Sequence, residues 1–427
     1  MTRKAMTPAR TIVTPPSASE NQAADFGLFC NPESRRVEGF SQAVGRALQQ
    51  RPKLIPWQCF LEGSPWEKYL AYPPRFLRLE SPGRNWNVEK QLLLRGASLE
   101  DEEVQIRWRR MSVGNVTALS HDPGRVLPMR QWFLAWRHLL NELSAWALGK
   151  SLVSRWLCPP EDVICMFDKV ACQHRLENAK ISVPPALGLP RNFDELWQLM
   201  RGRGINRIFL KPCHGSSASG VVALESSGYK IQAFSTLELV ETTDGLRLYN
   251  RRRIHTYRGA AEVIRLVDAV CAERCLAQAW IPKAGMFGRP FDLRVVVIGG
   301  RARHVMMRLG RGPITNSQLL GGKGDVGGLR LRMGDEAWRG MLKLCEDTMI
   351  KCFPRSLYAG LDVLIEPDFQ TTRILEVTVF GDLLPGVLYE DRDTYAWEVQ
   401  EALHREAVRV SATGAEPENG RLDLGLY

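Results

Sequence analysis

At 427 residues the chain is long enough for two or three domains. Hydrophobic residues at 44% and charged residues at 24% are ordinary globular proportions, not those of a disordered or membrane-embedded chain. The net charge of +10 suits an anionic partner, nucleotide phosphate or nucleic acid, without choosing between them.

No apolar run reaches the roughly 18 residues of a spanning helix, and residues 1–24 hold no secretory apolar segment, so a cytoplasmic protein without a membrane span is expected. Residues 1–24, rich in Thr, Pro, Ser and Ala, read as a mobile tail. Residues 25–155 read as a small α/β domain with a mostly parallel sheet. Its strands are expected at 54–61 and 75–80, and its helices at 37–50, 86–96 and 130–148. Ser81 is the expected cap and Pro82 the first helical residue. Arg78, Glu80, Ser81 and Arg84 then fall near a strand's carboxyl end, where open α/β sheets bind ligands, unless the segment is only a capped surface turn. The Trp-rich helix at 131–148 is either an interface or, more commonly at this spacing, core.

Residues 156–230 carry expected helices at 161–178 and 193–203, then a strand and a small-residue loop. Residues 231–410 read as antiparallel strands, two of them at 358–365 and 373–378, with helices at 259–272, 335–352 and 393–409; a second tail spans 411–427. The basic run at 247–258 lacks the aromatic interleaving of a base-stacking surface, so a solvated hairpin face is expected there and nucleic acid is not. The ten cysteines form no CxxC pair and read as reduced core thiols.

Three stretches carry chemistry. In IFLKPCHGSSASGVVAL, 208–224, Lys211 ends a strand and Gly215, Ser216, Ser217 and Gly220 follow in a loop. Glycines let backbone N–H groups approach an anion, hydroxyls add donors, and the lysine adds a compact charge. The lysine precedes the glycines, so this is no Walker A loop, and a plain hairpin turn would look similar. In GLDVLIEPDFQTTRILEVTVFGDLLPG, 360–386, Asp362 and Glu376 stand among apolar residues on successive strands. Such carboxylates are costly unless compensated, and magnesium takes one or two carboxylates plus substrate phosphates. In AQAWIPKAGMFGRPFDLRVVVIGGR, 277–301, Gln278, Trp280 and Ile281 enter a hinge-like linker. Asp292 and Arg294 then share one side of a strand, as a ribose and anion contact or as a surface pair.

The order of these motifs over about 160–390 resembles the ATP-grasp superfamily, most closely its branch of ribosomal-protein glutamate ligase and D-alanyl-D-alanine ligase. MFDKVACQHRLENAKISVPPA looks like that family's DK helix. The resemblance implies an α/β (α+β) fold: a small parallel N-terminal domain, then a central subdomain at 156–230 and a lobe at 231–410 that clasp ATP. It also implies that Lys169 and Lys211 contact phosphates, that Gln278 and Ile281 border adenine, and that Asp292 binds ribose. Asp362 and Glu376 would bind Mg²⁺, and Arg294, Arg308 and Asn316 would face the acyl phosphate or substrate. The family's Glu-x-Asn reads here Glu376-Val377-Thr378; a threonine hydroxyl is a weaker ligand than a carboxamide oxygen, so the resemblance implies either a looser second Mg²⁺ or Asp382 in place of Thr378. The implied activity joins a small-molecule or peptide carboxylate to an amine through an acyl phosphate, releasing ADP. The alternatives are a phosphotransferase of the same fold and a nucleotide-binding scaffold without turnover.

Overall fold

The computed structural model describes residues 24–413 except 71, 102–107, 216–217, 228–229, 244, 316–321, 382 and 385. Ser216, Ser217, Asn316 and Asp382 therefore lie outside the described residues, as do 1–23 and 414–427 of the two expected tails.

The strands Phe26–Cys30, Lys53–Pro56 and Phe76–Leu79 form a three-stranded parallel sheet with the first strand in the middle. All five residues of FGLFC are buried, as a parallel sheet covered on both faces requires. Two local expectations fail here. The strand expected over 54–61 stops at Pro56 and becomes the short helix Trp57–Leu61, pinned by the Trp57 indole, which donates to Glu80 O at 3.1 Å. The helix expected to be capped by Ser81 begins at Trp86, with Asn85 as its cap accepting from Val88 N at 3.0 Å. Arg84 sits at φ 69°, a left-handed conformation that no helical residue adopts.

A second, antiparallel sheet of six strands runs in the order Ala186–Gly188, Cys275–Ala279, Arg207–Pro212, Val222–Ser227, Lys230–Thr242, Gly245–Arg258. Strands on both sides of residue 230 thus share one sheet. The helices Phe193–Gly202 and Ala260–Cys271 cover it, burying Leu196, Met200, Val263 and Leu266 against Leu210 and Leu224 in a core of their own. The basic run lies on the edge strand Gly245–Arg258, where Arg251 pairs with Glu238.

The third sheet, also antiparallel, orders Gly322–Lys323, Arg301–Leu309, Arg289–Ile298, Tyr358–Ile365 and Thr372–Thr378. Its middle strand buries every residue from Phe291 to Ile298. The helix behind it starts at Val326, earlier than expected, and bends at Gly334, whose φ of 78° only glycine adopts cheaply. This core is continuous with that of the parallel sheet. The helix Met129–Gly149 contributes Phe133, Trp136, Leu139 and Leu143 to it, so the Trp-rich segment is core. All ten cysteines are buried and free. Among the described residues no helix is long and apolar enough to cross a membrane.

Candidate active site

The two antiparallel sheets face each other across a cleft with about 820 Å³ of empty volume, partly open to solvent. Lys169, Lys211, Gly215, Gln278, Ile281, Asp292, Asp362 and Glu376 all line it. A larger adjoining cavity of about 1720 Å³ shares Lys169, Gly215, Asp362 and Glu376, adds Arg294, Arg308 and Thr378, and reaches the parallel sheet. Residues spread over more than 200 positions therefore meet in one place.

Local structure explains the delivery of each group. The helix expected over 161–178 is two helices, Pro160–Phe167 and Lys169–Asn178, because Asp168 leaves helical geometry to cap the second. Its carboxylate accepts from Val170 N at 2.9 Å and Ala171 N at 3.2 Å, which fixes Lys169 at the helix start. Lys169 Nζ then reaches Gly215 O at 2.6 Å and Glu376 Oε1 at 3.0 Å. At Gly220, φ is +76° and a Cβ would stand 2.7 Å from Pro212 Cγ, so this end of the loop needs glycine.

Asp362 and Glu376 are direct partners on adjacent strands. Arg294 Nε lies 2.7 Å and Arg308 Nη2 3.0 Å from Asp362 Oδ1, yet that oxygen accepts no well-aligned hydrogen bond. The Arg294 guanidinium packs over Gly360, where a Cβ would be 2.7 Å from Nη1. Asp292, 2% exposed, takes Arg308 Nε at 2.7 Å, Lys283 Nζ at 3.2 Å and the Thr315 hydroxyl. It is a buried network, not a surface pair. Burial pushes the Asp292 carboxyl up, but Arg308 and then Lys283 hold it below the ordinary carboxylate range. Burial likewise raises Glu376, and Lys169, Lys211 and Arg294 together hold it lower than usual.

Where the two cavities meet, five cations (Lys169, Lys211, Lys283, Arg294, Arg308) face three carboxylates (Asp292, Asp362, Glu376), a surplus of two positive charges; the far wall of the larger cavity adds Arg35, Arg36 and Arg84 against Glu33 and Glu89. A Mg²⁺-bound triphosphate, at a net charge of about 2−, would balance the surplus where they meet. Among the described residues no group of three or more His, Cys, Asp or Glu could hold a metal alone. Two carboxylates completed by substrate phosphates are nevertheless what Mg²⁺ accepts. The unaligned Asp362 oxygen and the side chain of Glu376, 36% exposed, are the two carboxylate groups that could supply them. At the apolar end of the cleft, among Phe209, Ile281, Ile314 and Leu375, the buried Gln278 Oε1 has no partner. An amino group on a flat base would satisfy it. Gln278 is held by its own amide, which donates to Gln173 Oε1 at 2.7 Å.

Several residues escaped the sequence reading. Lys283 follows Ile281 by two positions in the hinge, so its lysine was a usable signal; Thr315 and Gln173 carried none. Asp168 also meets His214 Nε2 at 3.3 Å and Arg274 Nη1 at 3.3 Å, tying the start of the Lys169 helix to the residue before Gly215. His214 stacks on Phe133 at 4.0 Å, and burial lowers it to about 4 despite Asp168, so it is neutral at physiological pH.

One expectation needs correction. Arg78 and Glu80 do not face a ligand: Arg78 is 1% exposed, donates to Glu80 Oε1 at 2.8 Å and pairs with Glu398. Its guanidinium lies 4.4 Å from the Phe40 ring centroid and 4.6 Å from that of Tyr358. It joins the parallel sheet to the third sheet and to the last helix, Thr394–Thr413. Ser81 and Arg84, in contrast, do line the larger cavity. The Thr378 hydroxyl donates to Phe380 O and accepts from Phe380 N, so it shapes the turn beside the carboxylates.

Residues 164–307 match the family model described as YheC/D like ATP-grasp, so this segment is similar to the ATP-grasp superfamily. Whole-chain comparison with curated proteins finds no match. Among solved structures, the ATP-grasp ligase PsnB, complexed with a phosphomimetic variant of minimal precursor, Mg and ADP, is 13% identical, with 90% of this chain and 100% of that one covered and a TM-score of 0.49. D-cycloserine synthetase DcsG is 12% identical, covers 89% of this chain and 99% of its own, and gives 0.49. The macrocyclase MdnB from Microcystis aeruginosa MRC is 13% identical, covers 84% and 91%, and gives 0.42. At these scores the three likenesses carry no argument about substrate or residue roles.

Proposed function

We propose that the protein is an ATP- and Mg²⁺-dependent ligase that joins a carboxylate to an amine through an acyl phosphate. The observation that carries this is the pairing of Asp362 with Glu376 across adjacent strands, facing Lys169 and Lys211 where the cleft meets the cavity lined by Arg294 and Arg308. Asp362 and Glu376 would hold Mg²⁺, which when bound neutralises phosphate charge. Lys169 and Lys211 take the phosphates, and the loop between Gly215 and Gly220 would close over them and exclude water from the labile intermediate, Ser216 and Ser217 being outside the described residues. Gln278 and Ile281 take the adenine. Asp292 is the ribose candidate, in competition with Lys283, Arg308 and Thr315. Arg294 and Arg308 stabilise the transferring phosphoryl group, and the substrate role expected of Asn316 falls on a residue outside the described ones.

In the proposed reaction a carboxylate oxygen attacks the γ-phosphorus and the bond to ADP breaks. The amine then attacks the acyl carbon, phosphate leaves with the bonding pair, and the amine proton passes to solvent. Incubation with Mg·ATP and a desalted small-molecule extract, scored for ADP against AMP, tests the reading. ADP that needs extract and is lost in Glu376→Ala, together with a hydroxamate formed on adding hydroxylamine, is expected. AMP would overturn the reaction class, and ADP with a stable phosphorylated product but no hydroxamate would indicate a phosphotransferase. One observation favours a scaffold without turnover: the Thr378 hydroxyl already accepts from Phe380 N, which leaves it one lone pair for a metal where a carboxamide oxygen offers two. Tight Mg·ATP binding with no product would select that reading.

A further inference from the structure

The larger cavity carries more arginine than a nucleotide uses. Away from Asp362 and Glu376 it ends against the parallel sheet, where Arg35, Arg36 and Arg84 line it. None of the three forms an ion pair with a described carboxylate, and the carboxylates on that wall are engaged otherwise. Glu33 Oε1 accepts from Asn85 Nδ2 at 2.8 Å, and Glu89 Oε1 accepts from Arg84 N at 2.7 Å. The helices Arg35–Leu48 and Trp86–Ser98 both begin here, so their N-terminal N–H groups add to the positive field. At the opposite end, the same cavity is lined by Arg294, which is only 7% exposed and whose Nη1 has no hydrogen-bond partner. Guanidinium forks match carboxylate and phosphate geometry, and three of them, ion-paired to neither Glu33 nor Glu89 and outnumbering these two carboxylates on the wall of an open volume, define a place for an anion.

We propose, building on the ligase reading above, that the activated substrate is dianionic: its reacting carboxylate lies at the Arg294 end and a distal anion is held by Arg35, Arg36 and Arg84. A distal carboxylate and a distal phosphate share this chemistry.

Calorimetric titration of the full chain with Mg·AMPPNP present separates the possibilities. The probes are linear dicarboxylic acids of graded length, their monomethyl esters, and phosphono-carboxylic acids of matching length. Wild type should bind one length of diacid at least about tenfold more tightly than its monoester, and Arg36→Ala and Arg84→Ala should each remove most of that preference. Arg84→Lys should restore part of it, and nucleotide affinity from the same titrations reports that each variant is folded. A phosphono-acid that binds tenfold better than any diacid supports the distal anion site and names phosphate as its ligand. Wild type that binds Mg·AMPPNP but no probe, or binds diacids and monoesters alike, overturns the dianionic substrate and leaves the ligase reading standing. Failure to bind Mg·AMPPNP at all would remove both.

Discussion

Replacing Lys211 by methionine should make the ligand-free protein more stable at neutral pH. Lys211 Nζ has no hydrogen bond or ion pair to any described residue. Burial lowers its pKa from the ordinary 10.5 to about 8; Glu376 opposes the fall, and Lys169 and Lys283 add to it. At about 1.36 kcal/mol per unit, that fall corresponds to a folding penalty of about 3 kcal/mol when the amine is charged in both states. Its sign with pH follows from linkage. The folded value lies below the unfolded one, so the penalty is complete below about pH 8. It fades as pH rises toward 10.5, because the unfolded chain holds more protons in that window. Urea unfolding should therefore find Lys211→Met more stable than wild type by about 2–3 kcal/mol at pH 7, shrinking below about 1 kcal/mol near pH 10.5. Saturating Mg·ATP should stabilise the wild type far more than the variant, since the phosphates then provide the missing partner. Equal stabilities at pH 7, or a difference that does not change with pH, would refute the reasoning.

Gly360→Ala puts a methyl 2.7 Å from Arg294 Nη1 and 3.3 Å from its Cδ, so the guanidinium must leave Asp362. ADP release should fall at least about tenfold while the melting temperature drops only slightly, as calorimetry and steady-state kinetics would show. Arg78→Met leaves Glu80 and Glu398 buried without their cation and should cost about 3–5 kcal/mol in chemical denaturation, with KM for ATP unchanged in the folded fraction. Asp168→Asn keeps a capping oxygen but removes the charge facing His214 and Arg274, so KM for ATP should rise several-fold as the loop loosens from the Lys169 helix.

How far these features were legible depended on how local their causes are. Asp362 and Glu376 stood out because a carboxylate amid apolar strand residues is costly wherever it lies, and the period of two sets its face. The strand before Lys211 and its glycines were readable for the same reason. The turn after Pro56 and the cap at Asn85 were missed because the competing signals, an apolar run and a Ser-Pro pair, were equally good locally. Asp168 was read through as helix because nothing near it in sequence reveals Arg274. Arg78 and Glu80 stand at a strand end, a place that suits a ligand contact or a capped surface turn, and they form neither. Their ion partner, Glu398, lies 320 residues beyond Arg78 and is visible only in the fold. Thr315 reaches Asp292 over a separation of 23 residues, and no spacing rule announces it.

The cleft is most directly tested by ATP affinity measured with and without Mg²⁺ on the wild type, Asp362→Asn and Glu376→Gln. Mg²⁺ should strengthen binding to the wild type by about tenfold or more, and each substitution should abolish that gain while leaving metal-free affinity equal or higher, because a repelling carboxylate has been removed. A Mg²⁺ gain that survives both substitutions would contradict the assignment of these two carboxylates, and a wild type that binds no ATP would contradict the nucleotide site itself.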